Sequence, residues 1–180
     1  MIVRSVTIEL DEHFFNWLKN SRGDMNTFSE VVMILPRPGG RVLTMTKSFY
    51  PEGVYNLPSG GIHPGETPEQ AFAREVAEET GLDVKLQGRI ARIERRCVFG
   101  DQSLYHTSHV MLGDETSETP HPNDQGESIS GYVDAGPDDL RLFAERMRAL
   151  QDRWLGFGRF RAAAIDLVAD YLANSPAVSN

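Results

Sequence analysis

Hydrophobic and polar positions change period several times along this chain, and each change marks an element. Residues 2–9 alternate and predict a short strand. Phe14, Trp17 and Leu18 then recur at i, i+3 and i+4, which predicts a helical turn or two over residues 11–20. Residues 21–26 are polar and turn-like. The β-branched run Val31, Val32, Ile34 predicts a buried strand within residues 27–36. A turn at Pro38-Gly39-Gly40 leads to a hairpin partner at 41–46, and a short strand at 55–57 runs into Pro58-Ser59-Gly60-Gly61. Residues 67–80 carry the clearest helical pattern. Alternation over 84–99 and 104–112, around Gly100-Asp101-Gln102, predicts a hairpin, and 128–134 a last strand after the acidic loop 113–127. Leu140, Phe143, Met147 and Leu150, then Phe160, Ala164, Val168 and Leu172, predict two closing helices.

Strands alternating irregularly with helices predict an α/β fold: a mixed sheet covered on both faces, neither a meander nor a regular doubly wound sheet. The 180 residues suit one domain with extensions. Residues 1–26 read as an N-terminal strand and helix extension, 27–174 as the main domain with its C-terminal helices, and 175–180 as a frayed tail. The extension is also where a homodimer contact is expected.

Composition narrows the class. Hydrophobic residues at 40% and charged residues at 24% are those of a folded globular chain. The single cysteine, Cys97, excludes an intramolecular disulfide. Arg4 and Glu9 interrupt the first ten residues, and no stretch is long enough to span a bilayer, so a cytoplasmic chain without membrane attachment is expected. A net charge of −8, with three lysines against fifteen arginines, argues against long nucleic acids as partners. It permits a small anionic substrate if a metal ion stands between acid and phosphate.

The helix over 67–80 carries the chemistry. Thr67 can cap it, Pro68 suits its first position, Gln70 can close a capping box, and Gly81 can end it. At about 100° per residue, Phe72, Ala73, Val76 and Thr80 form the predicted buried face, while Glu75, Glu78 and Glu79 gather beside it. Three such carboxylates repel one another, at a few tenths of a kcal/mol per exposed pair. The stripe reads either as a solvated acidic face or as a seat for a divalent cation, for which hard oxygen donors suit Mg²⁺ or Mn²⁺. Arg74, one turn before Glu78, can pair with that acid.

The preceding loop decides between them. Gly60 is followed after five residues by Glu66, and after seven more by Arg74-Glu75-Val76-Ala77-Glu78-Glu79-Thr80-Gly81-Leu82. This resembles the Nudix box, the signature of the Nudix hydrolases, at all nine of its specified positions. A chance match is on the order of one in a million at background residue frequencies. The resemblance implies a Nudix-type α/β/α sandwich with a mixed β-sheet, acting with Mg²⁺ or Mn²⁺ on a diphosphate linkage in a small nucleoside diphosphate derivative. By the same resemblance, Glu78 and Glu79 are metal ligands, Glu75 binds metal or helps activate water, and Gly60 offers its carbonyl to a metal. Arg74 orients the glutamates and Glu66 is a structural partner of loop and helix.

Outside the box, Glu127 is the candidate general base, with Asp124 a weaker version; either also reads as an ordinary loop acid. Arg92 and Arg96 project to one side of a strand and Arg95 to the other, so Arg92 and Arg96 are candidates to grip substrate phosphates, or simply an exposed face. Tyr50 and Tyr55 read as packing residues that could stack on a base, as does the Phe14/Trp17 cluster. His63 reads as a loop hydrogen-bonding residue, His106 and His109 as structural, and Cys97 as a packed thiol. Residues 97–100 lack the proline and tyrosine that mark two Nudix branches, so the substrate stays open. A non-catalytic nucleotide-binding module, or an isoprenoid diphosphate isomerase-like activity using Cys97, are the alternatives.

Overall fold

The computed structural model describes residues 1–21 and 28–174. Thr27, nearly all of the predicted turn at 21–26 and the predicted tail at 175–180 lie outside the described residues. In chain order the elements are β1 (Ile2–Glu9), α1 (Glu12–Ser21), β2 (Phe28–Ile34), β3 (Pro36–Arg37), β4 (Arg41–Lys47), β5 (Ser59–Gly61), α2 (Pro68–Thr80), β6 (Leu86–Phe99), β7 (Gln102–Gly113), β8 (Ile129–Ala135), α3 (Pro137–Ala149) and α4 (Leu155–Asn174).

Five strands form a mixed sheet in the order β1-β6-β7-β2-β5. β1 runs parallel to β6 and β2 parallel to β7; the β6–β7 and β2–β5 pairs are antiparallel. A second, antiparallel sheet has the order β3-β4-β8. The expected single sheet is therefore two. The chain changes sheets at Leu35–Pro36, where a proline without an N–H cannot continue the ladder of a central strand. The predicted last strand, β8, follows β4 into the smaller sheet.

β2 is buried on both sides, which is why it reads as a near-continuous apolar run. Val32 and Ile34 pack with α1, α3 and α4, through residues such as Phe15, Leu140 and Phe160. Val31, Met33 and Leu35 pack with Ala71, Phe72 and Val76 of α2. Helices thus cover both faces of the large sheet, as an α/β/α sandwich.

Two local expectations are corrected. The strand predicted at 55–57 reduces to one bridge, Met45 to Asn56, while the Gly-rich segment becomes edge strand β5, with Gly60 opposite Val31. On α2, Ala73 is exposed, and Ala71, Glu75 and Glu79 join the buried residues. Seven residues fall about 20° short of two turns, so Glu79 lies almost directly along the helix from Phe72. The helix itself starts on the capping box of Thr67 and Gln70 and ends at Gly81 with φ +63°, a left-handed conformation that glycine adopts without strain. Among the described residues, no helix is long and apolar enough to cross a membrane.

Candidate active site

The rigid, capped α2 carries its glutamates to the β5 edge. Glu79 is the deepest: its side chain is 1% exposed, and its Oε2 accepts the Ser59 N–H at 2.9 Å. The Tyr132 hydroxyl donates to its main-chain carbonyl. Lys47, at the end of β4, places Nζ 3.4 Å from Glu79 Oε1 and 2.6 Å from Glu127 Oε2. The first contact is an ion pair without hydrogen-bond alignment, and Glu79 Oε1 has no hydrogen-bond partner among the described residues. Burial pushes the Glu79 carboxyl up to about 8; Lys47 opposes this, while Glu75 and Glu127 add repulsion. Burial works against the Lys47 ammonium too, but Glu79 and Glu127 outweigh it and raise its pKa.

Arg74 ties the loop to the helix. Its Nε and Nη2 each donate to Glu66 at 2.9 Å, a bidentate pair, and Nη2 also reaches the Gly61 carbonyl at 2.8 Å. Its Nη1 donates to Glu75 Oε1 at 2.6 Å and Glu78 Oε2 at 3.1 Å. Glu66 also accepts the His63 N–H at 2.9 Å, and the Arg74 hydrogen bonds hold its carboxyl down at about 2. Burial raises the Glu75 carboxyl despite Arg74. A Cβ on Gly60 would overlap that same carboxyl, so close approach of strand and helix requires glycine there.

The loop before β8 is fastened to the C-terminal end of α2. His121 donates its N–H to the Thr80 carbonyl at 2.9 Å, and Asn123 donates to Glu78 and Ala77, each at 3.0 Å. This brings Glu127, 27% exposed, to Lys47. Asp124 instead accepts the Gly126 N–H within its own turn.

Among the described residues, no trio of acidic, histidine or cysteine side chains converges as a ready-made metal cage. The carboxylates are held by two fixed cations, Arg74 and Lys47. The donor set is all oxygen, and its innermost carboxylate keeps one oxygen unbonded while burial works against its charge. These residues fit a hard divalent cation, which Glu75, Glu78, Glu79 and the Gly60 carbonyl could hold.

A pocket of about 490 Å³ opens beside this edge. Lys47 and Ser59–Gly61 line it together with rings of α1 and α4, including Phe14, Trp17, Phe157 and Phe160. Phe49, Tyr50 and Trp154 pack as a set on its rim. Its floor is polar. Glu30 Oε2 accepts from Arg161 Nη1 at 2.8 Å, and Glu30 Oε1 from Ser108 Oγ at 2.6 Å, while Arg95 donates to Ser108. Burial opposes the Glu30 charge, but Arg161, His106, Arg95 and Ser108 together hold its carboxyl at about 2.

The structure does not bring Arg92 and Arg96 here. Arg92 pairs with Glu94 at 2.7 Å and Arg96 is exposed; neither lines the pocket. The pleat that separates them from Arg95 puts Arg95 on the pocket side, opposite His106. His106, read as structural, lines the pocket, and burial lowers its imidazole to about 3. Tyr50 lines the pocket, whereas Tyr55 stacks on Phe143 at 5.2 Å. Cys97 is buried in the core, and burial pushes its thiol up to about 11, which leaves the isomerase alternative without a reachable thiol. Sequence reasoning missed Glu30, Lys47 and Arg161. Glu30 did carry a signal, as the lone charge in an otherwise apolar strand run, and Lys47 as one of three lysines.

A family model described as NUDIX domain matches residues 27–154. An oxidized purine nucleoside triphosphate hydrolase of Danio rerio is 28% identical over 136 residues, 72% of this chain and 85% of that protein. An RNA pyrophosphohydrolase of Erythrobacter litoralis is 49% identical over 41 residues, but that covers 23% of this chain and only 25% of the relative. Two solved structures share the fold at a TM-score of 0.55. One is the MutT protein of Methanosarcina mazei Go1, 17% identical, with 84% of this chain and 99% of that one covered. The other is the E. coli dihydroneopterin triphosphate pyrophosphohydrolase, 18% identical, with 82% and 96% covered.

Proposed function

This chain belongs to the NUDIX family, and on that premise we propose that it hydrolyses a diphosphate linkage in a small nucleoside diphosphate derivative with Mg²⁺ or Mn²⁺ as cofactor. The name of the Danio rerio relative, an oxidized purine nucleoside triphosphate hydrolase covered over 85% of its length, supports that substrate class. The observation that carries the reading is Glu79: a buried carboxyl with an unbonded oxygen, a pKa near 8 and, among the described residues, one ion-pair partner, a lysine that it shares with Glu127. Left to its own protein this group is under-neutralised; a divalent cation completes it.

Glu75, Glu78 and Glu79, with the Gly60 carbonyl, would hold the cation. When bound, it neutralises charge on the phosphate oxygens and makes the diphosphate a better electrophile. Arg74 keeps Glu75, Glu78 and the Gly61 carbonyl in fixed relation, so the ligand set is preorganised by side-chain packing. Lys47 stands between the glutamates and the pocket and offers an ammonium to the substrate phosphates. Glu127 is more open to water than Glu79 and takes the proton of the attacking water, a role worth about 10²–10⁴-fold. A chromatographic screen of nucleoside triphosphates, nucleotide sugars and dinucleotides, with and without Mg²⁺ or Mn²⁺, tests this. Metal-dependent release of a phosphate-containing product is expected. No hydrolysis across the whole panel would overturn it.

A further inference from the structure

Resting on that reading, we propose that Glu30 and Arg161 form a specificity-determining pair that reads a 2-amino-4-oxopyrimidine edge, the edge shared by guanine and pterins. Arg161 lies on α4, outside the residues the family model matches, while Glu30 lies on β2 within them. Its pocket joins Lys47 and Ser59–Gly61 to rings of α1 and α4. The α1 and α4 elements, both beyond residues 27–154, thus supply the ring-lined walls in which a planar group can stack.

The polar floor selects among planar groups. Glu30 is 3% exposed and lines the pocket. Each of its oxygens already accepts one hydrogen bond, from Ser108 Oγ and Arg161 Nη1, and each keeps a further lone pair. A carboxylate with two accepting oxygens matches two adjacent N–H donors. Guanine and pterins present such a pair, a ring N–H beside an exocyclic amino group. Adenine and cytosine present an amino group beside a ring nitrogen lone pair, which would face the carboxylate with like charge. Hypoxanthine keeps the ring N–H and loses the amino group. Arg161 supplies the third element: its buried Nε has no partner among the described residues, and a guanidinium beside the carboxylate suits the 4-oxo group next to the ring N–H. His106, 2% exposed with both ring nitrogens unpartnered among the described residues, adds a neutral imidazole to the same wall. A site with this many unsatisfied buried polar atoms rejects ligands that cannot pair with them.

The test uses the unchanged chain without metal, following quenching of Trp17 and Trp154 fluorescence by guanosine, neopterin, inosine and adenosine. Guanosine or neopterin is expected to bind at least about tenfold more tightly than inosine and about 10²-fold more tightly than adenosine, the scale set by unpaired buried polar groups. The ratio of the first two tells purine from pterin. Adenosine or inosine binding as tightly as both would overturn the proposal, as would no binding by any of them. Glu30→Gln, compared where its circular dichroism melt shows a folded protein, is expected to remove the preference. Hydrolysis of GTP and ATP with Mg²⁺ separates the two readings. A guanosine preference without hydrolysis leaves this proposal standing and sinks the diphosphate chemistry. Equal hydrolysis of both without any nucleoside preference does the reverse.

Discussion

Glu30 on β2 and Glu79 on α2 are both buried carboxyl groups in one sandwich, and their surroundings push them in opposite directions. Glu30 lies among Arg161, Arg95 and Ser108 and stays ionised, with its carboxyl held at about 2. Glu79 shares one lysine with Glu127, faces the charge of Glu75, and is pushed up to about 8. Burial is alike for the two, at 3% and 0% residue exposure, so burial does not explain the difference. The number of fixed opposite charges does. Glu30 is complete within the protein and can serve as a reading group. Glu79 lacks counter-charge, which marks the place where a mobile cation belongs.

The largest expected effect separates the two by activity. Glu79→Gln should lose at least about 10³-fold in kcat/KM with Mg²⁺, the scale of losing preorganised charge stabilisation. At pH 9, where Glu79 is ionised, its metal-free melting temperature should stay level or rise, because an under-neutralised buried charge is gone. Glu30→Gln should do the opposite to the fold. It leaves Arg161 and Arg95 buried without their counter-charge and should cost about 3–5 kcal/mol in urea unfolding. Equal loss of metal-free stability in both variants would erase the distinction.

Next comes pH. The folded carboxyl of Glu79 titrates at about 8, above the ordinary 4.5, so the metal-free folded state binds the extra proton between those values. Metal-free stability should therefore fall as pH rises from 5 to 8, by about 2 kcal/mol or more at about 1.4 kcal/mol per pKa unit. Glu79→Gln should flatten that decline. For Glu30 the sign reverses: its folded carboxyl at about 2 means stability is present above 4.5 and lost as pH falls toward 2. Melting curves of both proteins from pH 3 to 9 check the two slopes. The smallest effect is local. Thr67→Ala removes the cap hydrogen bond to the Gln70 N–H and should cost about 1 kcal/mol by the same unfolding measurement, with no change in either slope.

Much of this was legible along the chain, and the limits are physical. The α2 helix, its capping box and its Gly81 stop are set by neighbours within a turn, so the sequence shows them. Local spacing also shows the pairing of Arg74 with Glu78. A buried face centred on Phe72, Ala73, Val76 and Thr80 leaves Glu79 beside it; the roughly 20° by which seven residues fall short of two turns is what carries Glu79 under from Phe72. The pocket was not legible at all. Glu30, Ser108, Arg95 and Arg161 come from β2, β7, β6 and α4, and only the parallel β2–β7 register places Glu30 opposite Ser108. The strand pleat separates Arg95 from Arg92 and Arg96, but nothing local says which side meets the pocket. That depends on where α4 returns, some sixty residues later.

The most direct measurement is calorimetric titration of Mn²⁺ into the protein at pH 7 in two buffers of different ionisation enthalpy, which yields the protons released on binding. A metal that displaces the Glu79 proton should bind with release of about one proton, and that release should vanish at pH 9.5 and in Glu79→Gln. Failure of Mn²⁺ to bind, or an unchanged proton count in Glu79→Gln, would contradict the assignment of Glu79 as the under-neutralised seat of the cation.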